Sequence, residues 1–227
     1  MRKFLATTFL LMLACSSTMQ AAFKRHVVSF GKATAVRLFV SNDETTLVTI
    51  KVRPLYVDGR LREFTTGEAH DITEQQFAVQ RAYRINDSLP HEDGTLPKWR
   101  WQRGGWLLVD RSLGRVSPLR LPDFDASYSE VAWYRDYAAY CGTSDSGDKL
   151  HAMVVQIGQR RPILRSVIGP LSGAEQDSPC ESPLWQRGPV RVVFNLKDGR
   201  KLTFAIRGRA ADPASPEISP PGEDESN

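Results

Sequence analysis

The stretch "VRVVFNLKDGRKLTFAIRG" at residues 190–208 decides the fold class. Val190, Val192, Phe194 and Leu196 alternate with other residues, and after Lys197-Asp198-Gly199 the alternation resumes at Leu202, Phe204 and Ile206. Side chains two apart on an extended chain share a face, whereas a helix needs a recurrence near 3.6. The segment therefore predicts a β-hairpin.

Outward from this hairpin the same period recurs at Val36, Leu38 and Val40, at Val48, Ile50 and Val52, and at Phe77, Val79, Tyr83 and Ile85, with Asp58-Gly59 as one of the intervening turns. Two runs, "WLLV" at residues 106–109 and "AMVVQI" at residues 152–157, are apolar on both faces, as strands covered on both sides are. Thr73 and Gln76 have the spacing of a capping box, but the alternation that follows favours a strand. The reading is an all-β domain of about ten to twelve mostly antiparallel strands with few or no helices, sandwich-like, barrel-like or partly propeller-like.

The ends read differently. Arg2 and Lys3 precede an uncharged run over residues 4–14, too short to span a bilayer but long enough for a secretory leader. Residues 1–22 are thus expected to be a signal peptide, leaving no transmembrane helix in the mature chain. Two processing routes compete: a lipoprotein route ending on Cys15 as a lipid anchor, and ordinary cleavage after Ala21 or Ala22. Residues 23–211 suit a single β-rich domain. Residues 212–227, "DPASPEISPPGEDESN", hold four prolines and five acids with no Lys or Arg, the composition of a disordered tail. Of 30 basic and 26 acidic residues, two basic ones lie in the leader and five acids in the tail, so the body carries about +7. The basic residues are scattered, which argues against nucleic acid as the partner. With Cys15 in the leader, Cys141 and Cys180 remain as one pair, and in an oxidising compartment they are expected to form a disulfide.

Catalytic and metal signatures are sparse. His26, His70, His91 and His151 stand alone, with no ligand spacing, so neither a metal nor another cofactor is expected. "EAHD" and "HED" around His70 and His91 read as exposed polar loops. "SDSGDK" at residues 144–149 lacks the acidic ladder of a calcium loop and reads as a hairpin turn; its Ser146-x-x-Lys149 spacing is without the helical face that chemistry needs. Asp123 and Asp125 in "LPDFD" would share a face if extended, with Glu130 close behind, which is the raw material of a glycosidase. Aromatic and basic residues gather at Trp99, Trp101, Arg103, Trp133, Tyr134 and Arg135, a mixture suited to stacking on sugars or holding an anionic polymer. In "WRW" the two tryptophans share one strand face.

The tetrapeptide WQRG occurs at residues 101–104 and 185–188, each time ahead of strand-like sequence, and three Trp-led units could be read as propeller-like. The run "LPDFDASYSEVAWYRDYAAYCGTSDSGDKLHAMVVQIGQRRP", with "RPLYVDGRLREFTTGEAHDIT" and "RWQRGGWLLVDR" upstream, resembles a family of exported bacterial proteins over roughly residues 27–168. The resemblance implies export and a shared domain, and carries no activity, substrate or catalytic residue. The leading expectation is an exported, non-enzymatic β module binding a protein or polysaccharide of the cell envelope; the rival is a periplasmic or secreted hydrolase using Asp123, Asp125 and Glu130.

Overall fold

The computed structural model describes residues 26–39, 47–86, 88, 99–171, 180–208 and 210–213. The stretch read as a leader, Cys15, Val40, His91 and most of the stretch read as a tail lie outside them. Among the described residues there are fifteen strands and no helix, all paired antiparallel.

They form three sheets, none closed into a barrel. The first contains β1 (Val28–Phe30), β2 (Thr34–Phe39), β3 (Leu47–Val57), β4 (Arg60–Asp71), β5 (Gln76–Asn86), β6 (Trp99–Asp110) and β7 (Arg115–Leu119), with β1 and β2 both pairing with β3. The second is a meander of β8 (Ala132–Tyr134), β9 (Tyr137–Thr143), β10 (Lys149–Gln156) and β11 (Leu164–Pro170). The third is a meander of β12 (Leu184–Gln186), β13 (Arg191–Asn195), β14 (Lys201–Arg207) and β15 (Ala210–Pro213). The last strand runs two residues into the stretch read as tail, because its backbone pairs with β14 from Phe204 to Arg207 whatever its side chains. The hairpin of the opening stretch is β13–β14, with Val192 opposite Phe204 and Phe194 opposite Leu202.

Parity explains the packing. On the second sheet Ala139, Cys141, Leu150, Ala152, Val154, Leu164 and Ile168 face the third sheet, where Val192, Phe194, Phe204 and Ile206 meet them in one buried cluster. The intervening residues Tyr140, Met153 and Val155 point the other way and are covered by Leu121, Phe124 and Val131 from the loop ahead of β8. "AMVVQI" is apolar on both faces for that reason. The Cys141–Cys180 disulfide joins β9 to an isolated bridge that pairs Cys180 with Leu196, so it clips the second sheet to the third. The first sheet buries Leu55, Phe77, Val79, Leu107 and Val109 on one face. Its other face carries His70, Ala78, Leu108 and Trp106, which the register sets on one side of adjacent strands.

Several expectations change. Asp123 and Asp125 do not share a strand face: no strand runs through residues 120–131, and Asp123 sits in a turn with φ +57°. Gly142 lets this loop lie flat on β9, since a Cβ there would stand 2.7 Å from the Asp123 carbonyl oxygen. His70 belongs to β4 and is half-buried, not part of a polar loop. The Thr73 hydroxyl accepts from Gln76 N at 3.0 Å, as a capping residue does, but it closes the β4–β5 turn. The two WQRG copies are unlike in context: the first lies inside β6, whereas the second ends β12 and enters a turn. "SDSGDK" is the β9–β10 turn, with Ser144 and Ser146 hydroxyls donating to Asp148.

Candidate functional site

A hollow of about 310 Å³, lined by His70, Trp133, Tyr134, Arg135 and Arg187, opens where all three sheets converge. Its centre is the tip of the β8–β9 hairpin. Tyr134 and Tyr137 form the last cross-strand pair, which leaves Arg135 and Asp136 as a two-residue loop. Arg135 has φ +53°, while Asp136 is not in the left-handed region. A two-residue loop with φ positive only at its first position is the geometry that selects glycine there, and a non-glycine residue pays roughly 1–2 kcal/mol for it. The chain nonetheless carries an arginine.

The surroundings fix that tip. His70 Nε2–H donates to the Arg135 carbonyl at 2.7 Å, and its ring stacks on Trp133 with centroids 5.1 Å apart and planes 16° apart. Trp133 in turn meets Trp106 edge-on at 5.0 Å. The third sheet supplies the opposite wall. Trp185 stacks on Tyr134 at 5.4 Å and its Nε1–H donates to the Ala132 carbonyl at 3.0 Å. Arg187, two residues on, places its guanidinium carbon 5.8 Å from the Tyr134 ring, and Arg135 places its own 5.3 Å away. Both arginines are exposed and neither makes an ion pair among the described residues, in contrast to Arg81, Arg111, Arg165 and Arg200. Among the described residues, no carboxylate, serine or cysteine lines the hollow. Two cations beside one aromatic ring, with no anion among the described lining residues, make a local positive field that favours a negatively charged visitor.

The residues singled out from sequence separate into four places. Trp133, Tyr134 and Arg135 line this hollow. Trp99 and Trp101 share a face of β6 as expected, since the Arg84 guanidinium lies 5.7 and 5.3 Å from their rings. Trp101 packs edge-on against Phe64 in a cluster of the first sheet, whereas Trp99 is exposed. Arg103 lines a second cavity of about 460 Å³ with Asp125, Glu130, Gln102, Tyr83 and Ser127. Asp123 is elsewhere. Its carboxylate is buried, accepts from His151 Nδ1 at 2.9 Å and Arg165 Nε at 2.8 Å, and its carbonyl accepts from Thr143 N at 2.8 Å. Tyr140, whose hydroxyl donates to the Pro122 carbonyl at 2.5 Å, has its pKa pushed up by burial and by the Asp123 charge. Asp123 thus anchors the loop over the second sheet, apart from the other two carboxylates.

No family model, curated protein or solved structure matches the chain. The chemistry of the hollow is therefore what speaks to function. Two of its members, His70 and Arg187, were not grouped with the aromatic cluster by sequence. His70 stands 65 residues from Arg135, a distance no local pattern spans. Arg187 had a signal in the second WQRG, but only the fold brings it beside Tyr134. Among the described residues no group of three or more His, Cys, Asp or Glu side chains could hold a metal ion.

Proposed function

We propose that this chain is an exported, non-enzymatic recognition module that binds a partner in the cell envelope through the hollow formed by His70, Trp133, Tyr134, Arg135 and Arg187. One observation carries the reading: an arginine occupies the left-handed position of the hairpin tip, where glycine would fold more easily. Strain of this kind persists only where the surroundings hold it, and it clusters at binding and catalytic sites. The lining supports recognition over reaction, because its described residues offer cations and flat rings without a nucleophile or a carboxylate to act as acid or base. The disulfide, and the lack among the described residues of any helix long and apolar enough to cross a membrane, are compatible with export. Retention of envelope material on the immobilised chain tests the proposal. Wild type should retain it, the Arg135→Gly, Arg187→Gln double variant should not, and equal retention by both would reject the hollow as the site.

A second reading has its own observation. Asp125 and Glu130 line the larger cavity together with Arg103, an arrangement a hydrolase could use. It is the weaker reading because Asp123, the third carboxylate, is committed to His151 and Arg165, and Asp125 spends Oδ1 on Ser127 N at 2.8 Å. Turnover of polysaccharide substrates that disappears in both Asp125→Asn and Glu130→Gln would reverse this ranking.

A further inference from the structure

Resting on the reading of the hollow as a recognition site, we infer that its ligand is an acidic sugar unit, a saccharide ring bearing a carboxylate or a phosphate, displayed on an envelope polysaccharide. Three features converge on this chemistry. The first is charge: Arg135 and Arg187 come from different sheets, are without ion-pair partners among the described residues, and flank one tyrosine ring. A guanidinium presents a planar fork of donors that fits a carboxylate or phosphate in two-point contact. An anion arriving here relieves the repulsion between the two cations and meets no competing carboxylate among the described lining residues.

The second feature is shape. Tyr134, stacked on Trp185, and Trp133, stacked on His70, are flat rings already held in place, so the aromatic surface they give the hollow meets a sugar with little further ordering. The volume, about 310 Å³, is at the small end of ligand sites and suits a short stretch of a glycan. Among the described residues no aliphatic side chain lines the hollow, which disfavours an acidic protein segment, since the centre of a protein interface buries apolar side chains. The third feature is a polar orienting group. Because the Arg135 carbonyl can only accept, His70 carries its proton on Nε2, and in the neutral ring this leaves Nδ1 as an acceptor for a sugar hydroxyl.

Titration calorimetry on the full exported chain separates the possibilities, with tetraglucuronate, glucose 6-phosphate, uncharged cellotetraose and tetraglutamate as probes. At least one acidic sugar should bind ten-fold or more tighter than cellotetraose, and which of the two does so identifies carboxylate or phosphate as the charge being read. That affinity should fall ten-fold or more in Arg135→Gly and in Arg187→Gln, and should weaken as salt rises. Both variants alter exposed side chains, and circular dichroism verifies that they fold. Equal binding of cellotetraose, or tighter binding of tetraglutamate, would overturn the acidic sugar while leaving the hollow as the recognition site if the arginine variants still weaken it. Binding that ignores both arginine variants would overturn the hollow itself. Failure of both acidic sugars to bind would overturn the inference, and envelope retention lost in the double variant would show that the underlying site survives it.

Discussion

Replacing Arg135 by glycine should separate folding from binding, and the balance follows from the hairpin tip. At φ +53° an L side chain costs roughly 1–2 kcal/mol, which glycine removes. Against that, glycine's greater freedom in the unfolded chain costs about 0.5–1 kcal/mol, and the lost guanidinium contact with Tyr134 about 0.5–1 kcal/mol at an exposed position. The His70 bond survives because its acceptor is the backbone carbonyl. These contributions nearly cancel, so stability should move by no more than about 1 kcal/mol, or roughly 2–4 °C in Tm for a domain of this size. Arg135→Ala is the control: it discards the guanidinium and keeps the strain, so it should melt below the glycine variant. Thermal melts by circular dichroism, paired with titration of an acidic sugar on the same samples, read both quantities. Two results would refute the reasoning: a glycine variant that melts more than about 4 °C below wild type, or one no more stable than the alanine variant. The first would make Arg135 a structural residue, and the second would show that the tip holds no strain for glycine to relieve.

The Cys141→Ala, Cys180→Ala pair of substitutions opens a loop with a sequence separation of 39 and should cost about 4 kcal/mol on the chain-entropy model, measured by urea unfolding; a loss below about 1 kcal/mol would show that the clip is redundant. Gly142→Ala should destabilise by about 1–3 kcal/mol in the same assay, because the new methyl group would stand 2.7 Å from the Asp123 carbonyl oxygen and 2.9 Å from its Cβ, on a loop held by His151 and Arg165. Asp110 sets an acid limit. Hydrogen bonds from Ser112, Gln76 and Leu113 hold its pKa down to about 2 from the ordinary 3.8, so it binds a proton more readily in the unfolded chain. The stability it contributes is therefore complete above about pH 4 and lost as pH falls towards 2, and Asp110→Asn should flatten the pH dependence in that window; superimposable profiles would contradict it.

How far the sequence could be read depended on the range of the interactions. Alternation exposes a strand once it is long enough to repeat, and so β3, β5, β13 and β14 were legible. The four shortest strands, β1, β8, β12 and β15, have three or four residues each, too few to show a period, and they raise the number beyond the ten to twelve expected. The double-sided apolarity of "AMVVQI" predicted cover on both faces, but not that one cover would be an irregular loop. That loop is held by an aspartate whose partners are 28 and 42 residues away, and nothing local marks Asp123 as buried. Read as an extended pair, Asp123 and Asp125 suggested one catalytic face; the positive φ at Asp123 turns them apart.

The candidate hollow follows the same logic, and its covalent support gives the fold a functional consequence. Trp133, Tyr134 and Arg135 are consecutive, so sequence could group them, whereas His70 and Arg187 arrive from other sheets. What holds those contributions in register is a set of cross-sheet ties. Cys141 lies on β9, the return strand of the hairpin whose tip is Arg135, and Cys180 leads into β12, which carries Trp185 just ahead of Arg187. The Trp185 indole donates to Ala132 on β8, and the Tyr137 hydroxyl donates to the Gly208 carbonyl at 3.2 Å. Two like charges brought near one ring would drift apart on a loose scaffold, and an anion would then have to gather them again on binding. A disulfide shared by the two elements that bear them keeps that ordering cost in the folding step. On the proposed reading the clip serves affinity as well as stability: at a temperature where the doubly substituted chain is still folded, its affinity for an acidic ligand should be lower than that of wild type.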